Sequence, residues 1–312
     1  MEWIKGISPI TFPGLGLELD PAAGIRIGAF SVNFYGIIIA VGMILAVLYG
    51  WKRSKEFGIK TDDITDGVLC VVPFAVVCAR LYYCAFRWVE DGYAEDPLSI
   101  LYIWKGGLAI YGGVIGAVIG VAFYCHVKKI KLPALLDLVA LGFLIGQAVG
   151  RWGNFFNREA YGAETEFFLR MGLMLTPDRM SIGTTLYYHP TFLYESLWNI
   201  AGFVLLHFLS KRRKYDGQIA LGYAAWYGLG RALIEGLRTD SLYWGPFRVS
   251  QMLAAVSCIA ALAVLTIMSF KYHAPEKLFV NQVAALAEEE AEEDEAETEE
   301  ASEEEAAEET EE

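Results

Sequence analysis

The sequence predicts an all-α membrane protein with seven transmembrane helices, and three observations indicate this class. The chain of 312 residues is 55% hydrophobic, with a mean hydropathy of +0.36. Apolar runs of about 20 residues, the length that a helix needs to cross the hydrocarbon core, recur along it. Lysine and arginine concentrate in alternate loops between these runs, as they do in the cytoplasmic loops of membrane proteins.

Each predicted span is a run of mostly apolar residues between polar or charged segments. The seven runs are about 30–51, 67–87, 106–127, 134–151, 190–210, 217–237 and 249–270. The longest loop, about 152–189, separates the fourth span from the fifth. We expect it to form a small extracytoplasmic region.

The charged loops determine the predicted orientation. The basic residues that follow the first, third and fifth spans are Lys52, Arg53, Lys55 and Lys60, then Lys128, Lys129 and Lys131, and then Lys211, Arg212, Arg213 and Lys214. The loop after the second span is acidic instead, with Glu90, Asp91, Glu95 and Asp96. The positive-inside rule therefore predicts that the N-terminus lies outside and the C-terminus lies in the cytoplasm.

The C-terminal segment has a different composition from the rest of the chain. Residues 288–312 hold 17 acidic residues and no basic one, and removing them changes the formal net charge from −13 to +4. A run of like charge without aromatic residues cannot bury enough surface to fold. We therefore predict a catalytic membrane domain at 1–275 and a disordered, acidic cytoplasmic tail at 276–312, with docking to a basic partner as the alternative role of the tail.

Several common kinds of site and signal are not predicted. The five cysteines fall within or beside apolar runs and form no CxxC pair, and the four histidines are scattered, so we predict no metal and no cofactor. The first residues lack the pattern of a secretory signal, so we expect the spans themselves to direct membrane insertion.

Ionisable residues interrupt the apolar runs at a similar depth on different helices. With a rise of 1.5 Å per residue, Arg80, Glu195 and Arg231 lie roughly 8–10 Å from the outer ends of their spans, and Glu235 lies nearer the surface. Arg151 ends the fourth span at the outer edge. Charged residues in a membrane usually face a polar interior and carry function.

Two interpretations of these charges remain open. Each arginine can pair with a glutamate to hold helices together, or the residues can line a shared polar cavity that opens outward. Such a cavity would be net cationic, and the planar guanidinium suits a pair of phosphate oxygens. It would therefore suit an anionic phospholipid.

The third span contains a stripe of glycines, Gly112, Gly116 and Gly120, at spacings of four. Small residues at this spacing let two membrane helices approach closely, which is the role we predict for Gly116 and Gly120. Gly112 and Gly113 follow Tyr111 directly, so they can also let a lipid approach the backbone.

The end of the fourth span carries the most specific motif in the chain. It reads GRWGNFFNREAYG, from Gly150 to Gly162. This segment resembles the signature of the prolipoprotein diacylglyceryl transferases, G-R-x-G-N-F-x-N-x-E-x-x-G. The stretches HPTFLYES (189–196) and YGLGRALIEGLR (227–238), with FYG (34–36) and CARLYY (78–83), are also similar to that family's and occur in its order.

The resemblance implies an activity and its partners. The family transfers a diacylglyceryl group from phosphatidylglycerol to the thiol of the lipobox cysteine in an exported prolipoprotein, and glycerol phosphate leaves. It implies a multi-pass protein of the bacterial cytoplasmic membrane whose active site faces the outer leaflet. Phosphatidylglycerol, prolipoprotein lipobox segments and membrane lipids are then the partners, and no nucleic acid is expected.

The resemblance also suggests roles for individual residues. The candidate catalytic residues are Arg151, Arg231, Tyr111, Glu159 and Tyr227. The candidate residues for binding phosphatidylglycerol are Arg151, Asn154, Tyr35, Gly162, Arg231, Glu235, His189 and Glu195. Fixed guanidinium groups would stabilise the charge that develops on the leaving phosphate and lower the pKa of the attacking thiol. For Tyr35 and Tyr227, an aromatic anchor at the membrane interface is an equally good interpretation.

One position departs from the family pattern. Many members carry His-Gly-Gly in the third span, whereas this chain has Tyr111-Gly112-Gly113. A tyrosine, with an ordinary pKa near 10, is a poor base at neutral pH. Either another group accepts the proton, with His189 the closest remaining histidine by topology, or the cationic site makes a strong base unnecessary. A capping role for His189 ahead of the fifth helix is the alternative.

Three other classes of protein are alternatives to this one. A secondary transporter usually has repeated halves with a site at mid-membrane, and no internal repeat is found here. A retinal photoreceptor needs a lysine in its last span, and 249–270 contains none. A different lipid-phosphate enzyme would keep the same anion chemistry and change only the acceptor.

Overall fold

In the described part of the chain, the fold is dominated by seven long helices, α1 to α7. In this computed structural model, the residues described are 2–4, 9–28, 30–103, 106–174, 185–238, 243–244, 247–271 and 275–292. The helices are α1 (Phe34–Arg53), α2 (Thr61–Phe86), α3 (Ile110–Lys128), α4 (Leu132–Asn157), α5 (Thr191–Ser210), α6 (Gln218–Ile234) and α7 (Val249–Lys271). Within the described residues, six of them are long and apolar enough to cross a membrane. The helical, multi-pass class is therefore confirmed.

The sixth predicted span is the exception. It corresponds to α6, which has 17 residues and is followed by a 3-10 turn at Glu235–Leu237. A helix of this length rises about 25 Å, less than the roughly 30 Å of a hydrocarbon core. The number of spans and the orientation therefore stay predictions.

The N-terminal region forms short strands that the sequence analysis did not predict. These are β1 (Glu2–Ile4), β2 (Ile10–Phe12), β3 (Leu17–Leu19), β4 (Gly24–Ile27) and β5 (Phe30–Asn33), followed later by β6 (Met171–Met174), β7 (Thr185–Tyr188), β8 (Tyr243–Trp244) and β9 (Phe247–Arg248). They form sheets in the orders β1-β4-β5, β3-β2-β6-β7 and β8-β9, with antiparallel pairing throughout.

The chain divides into two compact units. The first comprises Met1–Gly50 and Leu136–His273, and the second comprises Trp51–Leu135 and Ala274–Glu312. In the first unit, a hydrophobic core forms where the second sheet covers the neighbouring ends of α4 and α5. Its buried side chains are Ile10, Phe12, Phe155, Met171, Leu173, Tyr188 and Phe192.

Glycines allow close helix packing within the first unit. A Cβ atom on Gly42 of α1 would lie 3.2 Å from the carbonyl oxygen of Gly146 in α4, so these backbones approach closely. Between α5 and α6, Trp198 and Trp226 stack with ring centroids 4.4 Å apart. Each indole donates a hydrogen bond to the other tryptophan's carbonyl oxygen, at 3.0 and 2.9 Å, so the two helices are firmly joined.

A carboxylate of α4 fixes the start of α6. Asp137 is fully buried, and its two oxygens accept hydrogen bonds from the backbone nitrogens of Gly217 and Ala220, each at 2.8 Å. Backbone N–H groups in the first turn of a helix have no partner within the helix, and an acceptor there is stabilising. Asp137 therefore acts as an N-terminal cap supplied by a neighbouring helix.

In the second unit, α3 packs closely on α2 through the predicted glycine stripe. A Cβ atom on Gly112 would lie 2.8 Å from the Cα of Ala79, and one on Gly116 would lie 3.0 Å from the Cα of Ala75. A Cβ atom on Gly120 would lie 3.1 Å from the Phe74 side chain. The packing role predicted for Gly116 and Gly120 is confirmed, and Gly112 shares it.

Part of the predicted tail is helical. Residues 279–292 form a helix in the second unit, and Leu278 just before it is buried. The Lys131 ammonium donates to the carbonyl oxygen of Lys277 at 3.0 Å, which ties this segment to the chain ahead of α4. The prediction of a disordered tail therefore does not hold for 279–292, and residues 293–312 lie outside the described part of the chain.

Candidate active site

The predicted polar motif lies on a helix, which corrects the expectation of a loop beyond the fourth span. Helix α4 continues to Asn157, so Arg151 and Asn154 are helical residues three apart and share a face. A Cβ atom on Gly153 would lie 2.7 Å from the Tyr35 ring. Tyr35 of α1 therefore packs on the motif through this glycine.

Glu195 of α5 is the centre of an arginine cluster in the first unit. Its side chain is 6% exposed, and its Oε2 lies 2.6 Å from Nη2 of Arg151 and 3.6 Å from Nη1 of Arg231. Its Oε1 lies 3.5 Å from Nη1 of Arg238. Three guanidinium groups, from α4, α6 and the segment after α6, thus meet at one carboxylate.

Glu235 completes the cluster. Its side chain is 2% exposed, and its Oε2 lies 2.7 Å from Nη2 of Arg231, as the spacing of four residues predicted. The Arg248 guanidinium donates to the backbone carbonyl of Glu235, which fixes the end of α6. Three arginines and two glutamates give the cluster a formal charge of +1.

The arginines keep partial access from outside the cluster. The side chains of Arg151 and Arg231 are 21% and 20% exposed, whereas both glutamates are almost completely buried. The structure therefore combines the two interpretations of the sequence, because ion pairs join the helices and guanidinium surface remains available. Both of the expected arginines, Arg151 and Arg231, belong to the cluster.

Arg238 ends the motif at 227–238 and joins the site, which the sequence analysis does not predict. Its side chain is 11% exposed and it shares Glu195 with the other two arginines. The i, i+4, i+7 spacing of Arg231, Glu235 and Arg238 was a possible signal, but the structure brings Arg238 to Glu195 by an extended segment after α6 rather than on one helical face.

Glu159 is held by its own segment rather than by the arginines. Its Oε1 accepts hydrogen bonds from the side-chain amides of Asn154 and Asn157, at 3.0 and 3.3 Å. Thr191 at the start of α5 donates to the carbonyl oxygen of Ala160. These bonds fix the turn that follows α4, and the bond between Asn154 and Glu159 joins the last turns of the helix to it.

Gly162 lies where two segments close over this turn. Its nitrogen donates to the carbonyl oxygen of His189 at 2.9 Å, and it forms an isolated antiparallel bridge with Arg238. A Cβ atom there would lie 2.8 Å from both the His189 Cβ and the Leu237 carbonyl oxygen. Gly162 thereby allows the backbone to pass beside the arginine cluster.

His189 lies beside this glycine, and its side chain does not cap α5. The capping residue is Pro190, without a side-chain hydrogen bond, while Nδ1 of His189 lies 3.3 Å from the Tyr194 hydroxyl. Burial lowers the pKa of His189 from its ordinary value. The imidazole is therefore neutral near pH 7.

Arg80 has a different role from the clustered arginines. It lies in the second unit, is 6% exposed, and donates to the carbonyl oxygens of Ser99, Ile100, Gly106 and Gly107 at 2.8–3.0 Å. The guanidinium therefore holds the loop between α2 and α3, and the expectation that it lines an anion cavity is not supported by its bonding.

The remaining candidate tyrosines are held by aromatic contacts. Tyr111 lies in the second unit, is 68% exposed, and has its ring centroid 6.4 Å from that of Tyr82. Tyr227 of α6 stacks on Tyr223 in the first unit, with centroids 5.6 Å apart. Tyr227 lies one turn before Arg231 on the same helix.

An apolar groove opens between α1, α4 and α5, next to the cluster. It has a volume of about 510 Å³, and its lining includes Ile38, Ile145, Val149, Trp152, Ile200 and Phe203. The Trp152 indole donates to the Ser196 hydroxyl at 3.2 Å, and these two residues directly follow Arg151 and Glu195. A charged site and an apolar groove are thus neighbours, as an amphiphilic ligand requires.

An interior arginine cluster beside an apolar groove defines this chain as a helical membrane protein whose buried charges mark a functional site. Comparison with known proteins narrows this class. Residues 22–267 match the family described as prolipoprotein diacylglyceryl transferase. The chain belongs to this family and is therefore a transferase.

Similar proteins come from several bacteria. The chain is 42% identical over 267 residues to the phosphatidylglycerol–prolipoprotein diacylglyceryl transferase of Listeria monocytogenes serotype 4a, covering 84% of this chain and 95% of that protein. It is 45% identical over 241 residues to the protein of the same name in Bacillus cytotoxicus, covering 76% and 87%. The corresponding values for Ligilactobacillus salivarius are 44% over 253 residues, with 79% and 92% covered.

Proposed function

We propose that this protein transfers the diacylglyceryl group of phosphatidylglycerol to the cysteine thiol of a prolipoprotein lipobox. The names of its relatives support this reaction. The observation that carries it is the set of three guanidinium groups around Glu195. A phosphodiester has one negative charge, and the cluster has a formal charge of +1.

The reaction forms one carbon–sulfur bond and breaks one carbon–oxygen bond. The thiolate attacks the glycerol carbon of the lipid that carries the phosphate, and glycerol phosphate leaves with the bonding electrons. Arg151 and Arg231 stabilise the second negative charge as it develops on the phosphate. They also favour the thiolate, because a nearby guanidinium lowers the pKa of a thiol.

The thiol proton needs an acceptor, and the released phosphate monoester is one. The second pKa of a phosphate monoester is about 6, so a fraction of the released glycerol phosphate molecules takes up the proton near neutral pH. A strong protein base is then unnecessary, which accommodates tyrosine at position 111. Two side chains are the alternative proton acceptors to compare with this route. They are His189, whose imidazole is neutral, and Tyr111.

The apolar groove supports the lipid half of the proposal. Acyl chains in the groove between α1, α4 and α5 would leave the phosphate at the level of Arg151, next to Trp152 in the lining. The surroundings of the headgroup are then formed by four further residues, through the contacts described above: Asn154, Tyr35, Gly162 and Glu235.

The proposed topology follows from the loop charges. Seven spans place the N-terminus and the motif end of α4 outside, and the basic loops in the cytoplasm. The 3-10 turn at Glu235–Leu237 extends α6 by three residues towards the required length. The protein then lies in the bacterial cytoplasmic membrane with its arginine cluster in the outer leaflet.

A reconstituted transfer assay tests the proposal. Vesicles with the purified protein and phosphatidylglycerol labelled in its diacylglycerol should modify a peptide with a lipobox cysteine, and vesicles with other anionic lipids should do so much less. Arg151→Ala and Arg231→Ala should each lower the rate by about 10²–10³-fold, because each removes a donor to the developing charge. Arg212→Ala, in an exposed loop, is the matched control and should keep the wild-type rate. Wild-type rates in both cluster variants would contradict the role of the arginines.

A further inference from the structure

A second polar layer lies in the first unit, one helical turn from the arginine cluster. Gln147 precedes Arg151 by four residues, Asn199 follows Glu195 by four, and Tyr227 precedes Arg231 by four. Residues four apart on a helix share a face and are separated by about 6 Å along the axis. Three helices therefore repeat the polar pattern of the cluster one turn further along.

Contacts between the helices place Gln147 of α4 beside α6 and hold α5 against α4. The side-chain amide of Gln147 in α4 donates to the Tyr223 hydroxyl of α6 at 2.8 Å, and Tyr223 stacks on Tyr227. The Ser196 hydroxyl of α5 donates to the carbonyl oxygen of Ala148 at 2.8 Å. Asn199 lies three residues, about 4.5 Å, beyond Ser196 on α5, on the same side of the Ser196–Ala148 bond as Gln147.

Two carbonyl oxygens in this layer are buried without a hydrogen bond. Asn199 is 2% exposed, and among the described residues neither its Oδ1 nor the Oε1 of Gln147 has a partner. Buried polar atoms in native proteins are almost always hydrogen-bonded, and an unpaired one is costly. Two unpaired acceptors, each about one helical turn from a residue of the arginine cluster, point to a ligand that brings hydrogen-bond donors.

We propose that Asn199 and Gln147 bind the hydroxyl groups of the lipid headgroup and thereby select a glycerol headgroup. This inference rests on the proposed function, because the phosphate must lie at the arginines one turn away. A three-carbon diol on that phosphate can extend over about one helical turn and offers two hydroxyl donors. The amide oxygens of Asn199 and Gln147 are neutral hydrogen-bond acceptors, and the two hydroxyl groups of the headgroup are neutral donors that match them.

The layer disfavours headgroups that carry an ammonium group. Glu195 and Glu235 are both engaged with arginines, and the side-chain amides of Asn199 and Gln147 carry no charge. A buried cation without a carboxylate partner is strongly destabilised. Phosphatidylethanolamine and phosphatidylserine are therefore excluded at this level, in addition to any selection at the phosphate.

A pair of matched donors tests the inference. Phosphatidylpropanol has the same three-carbon headgroup as phosphatidylglycerol and the same phosphodiester charge, but no hydroxyl group. The wild-type protein should transfer diacylglyceryl from phosphatidylglycerol about 100-fold faster or more, since a site built to bond hydroxyl groups rejects an analogue that lacks them. Transfer from neither lipid would contradict the proposed function itself, whereas equal rates from both would contradict only the headgroup inference.

The variant Asn199→Leu, which keeps the size of the side chain, should lower the preference between the two donors at least 10-fold. Its rate with phosphatidylpropanol should not fall. Its thermal midpoint in detergent should equal or exceed that of the wild type, because a buried unpaired amide is removed. An unchanged preference, equal loss with both donors, or a lowered midpoint would overturn the proposal.

Two further variants complete the test. Gln147→Met changes the same layer from another helix and should reduce the preference for phosphatidylglycerol over phosphatidylpropanol in the same way. It tests the proposal even if the Asn199→Leu protein does not insert into the membrane. Gln251→Met is the matched control, because the Gln251 amide in α7 already donates to the carbonyl oxygen of Ala232 at 2.8 Å. Its donor preference should equal that of the wild type, and a loss of preference there would overturn the assignment to this layer.

Discussion

At the scale of single residues, Glu195 connects the elements of the site. One carboxylate holds guanidinium groups from α4, α6 and the segment after α6, and its side chain is 6% exposed. Without this charge, three buried or half-buried cations would repel one another. Removing one partner of a buried ion pair is strongly destabilising, because it leaves an uncompensated charge.

Glu195→Gln should therefore lower the free energy of unfolding by about 3–5 kcal/mol while keeping the shape of the side chain. The measurement is the thermal midpoint of the purified protein in detergent. Glu90→Gln is the control, because Glu90 forms its ion pair with Arg87 at an exposed site, where such a pair contributes little to stability. Equal midpoints for wild type and Glu195→Gln would contradict the central position of this carboxylate.

His189 should make the protein less stable in acid. Burial lowers its pKa in the folded state, so the unfolded chain takes up a proton first as the pH falls. The corresponding loss of stability begins below the ordinary histidine pKa of about 6.5, and it is absent above that pH. Midpoints at pH 7.5 and pH 5 should differ less in His189→Gln than in the wild type; the same difference in both proteins would argue against it.

The residues of the site could be predicted to different extents. Arg151, Arg231, Glu195 and Glu235 stood out because charges inside apolar runs are rare, and their meeting is confirmed. Arg80 was equally conspicuous but bonds to backbone carbonyls, which no sequence pattern reveals. The roles assigned to Tyr111, Tyr227 and Glu159 stay predictions.

At the scale of secondary-structure elements, Gly162 shows how a turn depends on the lack of a side chain. Gly162→Ala should lower transfer activity by at least 10-fold, because a Cβ 2.8 Å from the Leu237 carbonyl oxygen must displace the segment that carries Arg238. The reconstituted assay measures this.

Gly36→Ala in α1 is the matched control for that change. An added Cβ there meets no atom within 4 Å, so activity and thermal midpoint should stay at wild-type values. Similar activity in Gly162→Ala and Gly36→Ala would mean that the close approach at Gly162 is not required.

The helices were predictable because hydropathy reports them directly, but several of their ends were not. Helix α2 begins at Thr61 rather than about 67, since Asp62 and Asp63 favour the first turn of a helix. Helix α4 continues through its polar motif to Asn157. The strands escaped prediction because they are only two to four residues long and because Ile10 pairs with Leu173, far along the chain.

At the scale of the whole molecule, the orientation across the membrane is the main prediction to test. Single cysteines in a cysteine-free background, in place of Glu166 in the loop after α4 and Arg212 in the loop after α5, are exposed reporters. In intact cells, a membrane-impermeant maleimide should label position 166 and leave position 212 unlabelled. Both positions should react in opened membranes, and the reverse pattern in intact cells would invert the proposed topology.

The joined tryptophans of α5 and α6 determine from which side a substrate can reach the arginines. Trp198 and Trp226 each bond to the opposite backbone, and each lies against a glycine of the other helix, Gly230 and Gly202 respectively. Separating the two helices would break both hydrogen bonds and the stacking of the rings at once. A lipid with two acyl chains therefore cannot pass between α5 and α6. A lipid diffusing in the bilayer must then come in laterally along another flank, and the side bounded by α1, α4 and α5 already offers it an apolar path.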